Sequence, residues 1–263
     1  MLSYESILNE AALKGMPTDK WRGIIREYIQ TLILKYIYRT PYQDKFFFLG
    51  GTSLRLLYDL RRFSEDLDFN VKGIKEIEFE ETAKFIKDEL SRENIDCLLE
   101  FNHRKPLYIA EFIFEEFGGI YKADKRKGGM LVKLEANLPD YEFPADVHSI
   151  SSFGEIFLVK AMAKEWVFAD KIDTLRNKKL GRHIYDIIFM LGKRFKVSRE
   201  MLKIHGITEE PKEAISKIIN SISDEEFKRL SKQVAPFLFD EGQRDLVIKA
   251  KMVIAEMVAQ NYP

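Results

Sequence analysis

The sequence predicts an α+β fold: a mixed sheet with flanking helices, followed by a C-terminal helical region. Three observations predict it. Strand-like segments cluster between residues 40 and 150, apolar residues from about Ser152 onward follow a helical spacing, and no regular βαβ alternation joins the two parts. The domain boundary is accordingly placed after residue 150. Residues 1–150 form an α/β domain with N-terminal helices, and residues 151–263 form a helical domain completing a cleft.

Each element follows from local pattern. Trp21, Ile24, Ile25, Tyr28, Ile29, Leu32, Ile33 and Tyr36 keep a 3.6-residue period, with Thr18 as a plausible N-cap. Phe46–Leu49 is a short apolar run ended by Gly50 and Gly51, which suits a buried strand. Residues 52–60 then read as helix, 66–71 as strand and 76–93 as helix. Strands are expected at 97–102, 108–117 and 130–138. The last two flank a basic loop containing Lys122, Lys125, Arg126 and Lys127. Helices are expected at 152–168, 182–194, 211–221, 224–233 and 241–260.

Composition narrows the function classes. Apolar residues make up 46% and charged residues 32%, enough to bury a core and stay dissolved. Lys+Arg and Asp+Glu are both 42, so a protein that coats nucleic acid is excluded, although a local basic surface is not. The lone Cys97 excludes an internal disulfide, and the four histidines are scattered, which argues against a zinc site. No signal peptide or membrane-spanning segment is read, so the cytoplasm is the expected compartment.

The chemistry is concentrated in Phe46–Val71. A strand ends at two glycines and a helix begins at once, with Thr52 and Ser53 in its first turn. Unpaired N–H groups and the helix dipole make such a start an anion site. Asp66 and Asp68, two apart on the next strand, share one face, and their repulsion calls for a cation such as Mg²⁺ or Mn²⁺. A phosphate cradle beside paired carboxylates is equipment for nucleotidyl or phosphoryl transfer.

These residues resemble the signature of the DNA polymerase beta-like nucleotidyltransferase superfamily, and more closely the AbiEii/AbiGii type. That type includes toxins of abortive-infection and toxin–antitoxin systems. The matching positions are Gly50, Gly51, Thr52, Arg55, Arg62, Ser64, Asp66, Leu67, Asp68 and Phe69. The resemblance implies a nucleotidyltransferase-like sheet and an NTP substrate held by Gly50, Gly51, Thr52, Arg55, Ser64 and Lys160. Val132–Ala136 resembles the strand supplying a third acidic residue, here Glu135, so Asp66, Asp68 and Glu135 are the implied metal ligands. Glu155–Ala163 resembles a family helix with a central lysine, Lys160, whereas Lys164, one turn on, reads as surface. Gly181–Asp186 resembles a Gly-Arg-Asp-x-x-Asp motif in which His183 replaces the first Asp. The implied catalytic set is Asp66, Asp68, Lys160 and Asp186.

The resemblance further implies transfer to an acceptor, with RNA (tRNA) as the expected one, and a cognate antitoxin protein as partner. The basic loop is a candidate RNA contact. A second reading is a catalytically weak nucleotide-binding or regulatory protein on the same fold, compatible with His183. A metal-dependent nuclease is a third, disfavoured because it has no need of a triphosphate cradle.

Overall fold

Phe46–Leu49 has no polar position and ends at a glycine pair; it forms β1, an interior strand of the sheet. This computed structural model describes residues 1–117, 121–122 and 129–262. The chain divides into two compact units. One comprises Met1–Asp59 and Phe63–Met162, the other Leu60–Arg62 and Ala163–Pro263.

The first unit holds helices α1 (Tyr4–Leu13), α2 (Trp21–Ile37), α3 (Gly50–Tyr58) and α4 (Glu76–Arg92). Its strands after β1 are β2 (Leu67–Val71), β3 (Leu98–Phe101), β4 (Leu107–Phe114), β7 (Met130–Asn137), β8 (Ala145–Ser152) and β9 (Glu155–Met162). A separate short pair is formed by β5 (Glu116–Phe117) and β6 (Tyr121–Lys122). The sheet runs β3-β4-β7-β2-β1-β9-β8. It is mixed: β2/β7 and β1/β9 are parallel and the remaining neighbours antiparallel.

Register separates its two faces. Tyr108, Ala136, Phe69, Phe48 and Ala161 pair in sequence across β4, β7, β2, β1 and β9, so they share a face. Helices pack there. Phe79 of α4 lies against Tyr108, and Tyr58 of α3 meets His148, which pairs with Val159 on that same face. Phe69, 1% exposed and touching the rings of Phe46 and Phe48, anchors the layer. Burying such a ring contributes about 2–3 kcal/mol. The opposite face carries Leu49, Asp68, Glu135 and Ile109 in one row.

The second unit is helical: α5 (Lys164–Asn177), α6 (Gly181–Gly192), α7 (Arg199–Ile204), α8 (Pro211–Asn220), α9 (Asp224–Val234), α10 (Arg244–Ile248) and α11 (Ala250–Asn261). α6 packs against α5, α9, α10 and α11. Its first residue, Gly181, comes so close to α9 that a Cβ there would lie 2.0 Å from the Leu230 carbonyl oxygen.

Two expectations are corrected here. Residues 152–168 are not one helix: Ser152 ends β8, Glu155–Met162 is a strand, and Phe153 and Gly154, both at positive φ, make the turn. Ile156 and Leu158 alternate with the less exposed Phe157 and Val159, and stand 79% and 63% exposed. With apolar residues on both sides of the strand, the run imitates a helix. Thr18 does not cap α2; it starts a short 3₁₀ turn, and Lys20 occupies the cap position without a side-chain bond. A helix at Arg199–Ile204, capped by the Ser198 hydroxyl, escaped the sequence reading. Among the described residues no helix is long and apolar enough to cross a membrane.

Candidate active site

Asp68 sits in mid-sheet, paired with Leu49 on one side and Glu135 on the other. Directly paired residues share a face, so the Asp68 and Glu135 carboxylates project together. Asp66 lies just before β2, and all three acids are half-buried.

Gly50 makes this arrangement possible. It turns the chain from β1 into α3 at φ +83°, a region that favours glycine. A Cβ at Gly50 would lie 2.0 Å from Asp68 Oδ2. The backbone at the start of α3 therefore lies directly beneath the Asp68 carboxylate. No side chain caps that helix start, where Leu49 is the cap residue.

The hydroxyl residues of the turn hold the scaffold. Thr52 is fully buried, and its hydroxyl donates to the Asp66 carbonyl, pinning the segment that carries the acids. Ser53 donates to the Gly50 carbonyl at 2.9 Å. The Thr52 hydroxyl proton is thus committed to the segment carrying the acids. Ser64 is half-buried, and its carbonyl accepts from Gln30.

Two expected nucleotide contacts, Arg55 and Lys160, already face acidic side chains. Arg55 is buried between Glu27 (Nε–Oε2 3.1 Å) and Asp59 (Nη1–Oδ1 2.8 Å). Burial raises the Glu27 carboxyl above its ordinary range while Arg55 opposes the shift, so the pair braces α2 against α3. Lys160 lies on β9, not on a helix, and its ammonium is 2.7 Å from Asp44 Oδ1. Lys125, Arg126 and Lys127 of the basic loop lie outside the described residues.

The helical unit contains a second charged cluster. Asp186 is fully buried and accepts two hydrogen bonds from Arg62, at 2.7 and 2.8 Å. Lys171, 7% exposed, lies 3.3 Å from Asp186 Oδ2. Burial alone would raise the Asp186 carboxyl, but Arg62 and Lys171 together hold it below the usual range. Both of its oxygens are engaged by these cations. Lys171 is the residue that sequence reasoning missed. The available signal was a lysine among Phe168, Ile172 and Leu175, on the buried face of α5.

His183 adjoins this cluster, 6% exposed, and its Nδ1 has no hydrogen-bond partner among the described residues. Burial, reinforced by Lys171, pushes its pKa down to about 3. The sign follows from linkage: above pH 6.5 the imidazole is neutral in folded and unfolded chains alike. Below that value only the unfolded chain gains the proton, so stability falls towards pH 3. At pH 5 the expected loss is about 2 kcal/mol. His205, raised chiefly by its Asp170 hydrogen bond, acts only above pH 6.5 and in the opposite sense. Urea unfolding at pH 6.5 and 5 should show this loss in the parent and a much smaller one in His183→Gln; equal losses would reject it.

The comparisons with known proteins fit this geometry. The family described as "Nucleotidyl transferase AbiEii toxin, Type IV TA system" matches residues 32–247. The chain belongs to the AbiEii family. It is therefore a nucleotidyltransferase of the toxin–antitoxin class. No curated protein matches the sequence. Among solved structures, it is similar to MenT4, a nucleotidyltransferase toxin from Mycobacterium tuberculosis H37Rv, at 14% identity and TM-score 0.55; 97% of this chain and 99% of that one are covered. JHP933 from Helicobacter pylori is similar at 17% identity and TM-score 0.53, with 91% of each chain covered. These structural likenesses are of fold.

Hard oxygen donors suit a divalent cation in this AbiEii site. Asp68 and Glu135 share a sheet face, and Asp66 lies two residues before Asp68. An Mg²⁺-type ion bound by one or two carboxylates takes its remaining ligands from phosphate and water, so such a set fits it. Glu76, Glu80 and His103, whose ligand atoms lie within 4.8 Å of one another, fit a cation poorly. His103 Nδ1 accepts from the Ile109 N–H at 3.1 Å, so in the neutral ring the proton sits on Nε2, facing Glu80 at 3.5 Å.

Proposed function

We propose that this AbiEii protein transfers a nucleotide from an NTP to RNA, a tRNA end being the expected acceptor. A divalent cation would be held by Asp66 and Asp68, with Glu135 beside them. The observation that supports this reading is the close approach of the Asp68 carboxylate to Gly50, which brings a hard oxygen donor and a helix N-terminus together. When bound, the cation neutralises triphosphate charge and supports attack of the acceptor oxygen. The start of α3 orients the phosphates through backbone N–H groups. Thr52 keeps Asp66 in place by holding its carbonyl, and Ser64 is the remaining hydroxyl candidate for a phosphate oxygen. The family supports a cognate antitoxin as partner, and the cytoplasm as the place of action.

The test is incubation with each labelled NTP and total RNA, with and without Mg²⁺. Magnesium-dependent pyrophosphate release with label in RNA is expected. Label in protein alone would replace the acceptor class. Nucleotide binding without pyrophosphate release would establish the regulatory reading, which the buried neutral His183 favours.

A further inference from the structure

We infer that the surface formed by the start of α5 and the segment after α6 is a docking site for RNA phosphates. Lys164 begins α5, and Lys193, Arg194 and Lys196 neighbour Phe195 in the segment after α6. The Lys164 ammonium lies 5.4 Å from the Phe195 ring centroid, and the Ser198 N–H donates to the Glu165 carbonyl at 2.9 Å, fastening the two segments together. Lys193 lies over Phe189 at 5.7 Å. Lys193, Arg194 and Lys196 are exposed, and Lys164 is half-exposed. Glu165 is the acidic residue within these two segments.

Three features distinguish this surface from an ordinary solvated one. First, among the described residues none of the four cations has a carboxylate within ion-pair distance, whereas Arg199 nearby is paired with Glu210. In a chain with 42 acidic and 42 basic residues, these four cations on two fastened segments form a local excess. Second, helix capping does not account for it. Cations suit a helix C-terminus, as for Lys193, but Lys164 is the first residue of α5, where the dipole opposes a positive charge. Third, the apolar residues are withdrawn: Phe195, Val197 and Leu191 are 6%, 8% and 1% exposed. Protein interfaces centre on apolar and aromatic side chains, and membrane surfaces require inserted ones. A charged surface with its apolar groups buried fits a phosphodiester chain. Arg194, held at φ +56° just after the helix, projects from a fixed turn.

The inference rests on RNA as the acceptor and assigns its contact surface. The experiment is fluorescence anisotropy of a labelled tRNA-length RNA across a salt series. The triple variant K193E/R194E/K196E should bind at least about tenfold more weakly at low salt, and its log–log salt slope should be smaller by about two units. Mg–NTP binding should be unchanged. The comparison variant K178E/K179E, in the turn between α5 and α6, should behave as the parent. An unchanged slope in the triple variant, or an equal loss in the comparison variant, overturns the inference. So does displacement of the RNA by poly-glutamate, or capture by phosphatidylserine vesicles, as effective as that by unlabelled RNA. These results are separable from failure of the function proposed above, which would appear as no pyrophosphate release by the parent protein.

Discussion

Asp68→Ala should reduce nucleotide transfer by about three orders of magnitude or more while leaving the fold intact. The carboxylate is half-buried, one position across from Glu135 and stacked on Gly50, so no neighbour can take its place. A catalytic divalent cation supplies several kcal/mol of transition-state stabilisation, and each 1.36 kcal/mol is about tenfold in rate. The melting temperature should change little, because Asp68 lies on the sheet face opposite the buried Phe69 layer. The parent should gain thermal stability from Mn²⁺ with NTP, and the variant should not. A variant stabilised by Mn²⁺–NTP as strongly as the parent would remove Asp68 from the metal site.

Arg62→Ala should be the most damaging single change to stability. It strips Asp186, fully buried, of two hydrogen bonds and leaves Lys171 at 3.3 Å as the cation beside it. Breaking a buried ion pair from one side costs about 3–5 kcal/mol, because the remaining charge stays desolvated. For a unit of roughly a hundred residues this is about 12 °C or more in melting temperature. The double variant R62A/D186N should lose less than the sum of the single losses, with a coupling of at least about 2 kcal/mol. Additive losses, measured by urea unfolding, would show that the two side chains do not act as a pair.

Legibility of the sequence followed the range of the interactions involved. Phe46–Val71 could be read because strand, glycine turn, helix and acidic strand are each specified within a few residues. The Asp68–Glu135 pairing was reachable only through the resemblance, since parallel register leaves no local mark. The hairpin of β8 and β9 was misread because Ile156 and Leu158 face solvent, against the usual segregation. The fates of Arg55 and Lys171 were invisible for another reason. Glu27 lies 28 positions from Arg55, and Asp186 lies 15 positions from Lys171 on a different helix; only packing shows which charge meets which. The same holds for the pairing of Asp186 with Arg62, which its motif position did not show.

The short excursion Leu60–Arg62, which leaves the sheet-bearing unit and returns to it, bears on synthesis and on modularity. Arg62 and Asp186 are 124 positions apart. At ribosomal speeds of about 5–20 residues per second, Arg62 waits roughly 6–25 s for its acid to be made. Until then the lead into the strand that begins at Leu67 is held by Gln30 and Thr52 of its own unit. A gene truncated after Met162 would encode every strand described here yet lack Asp186 and Leu238, two residues that Arg62 meets. The two halves of this chain are therefore not interchangeable cassettes: a foreign helical region would have to supply an acid for Arg62.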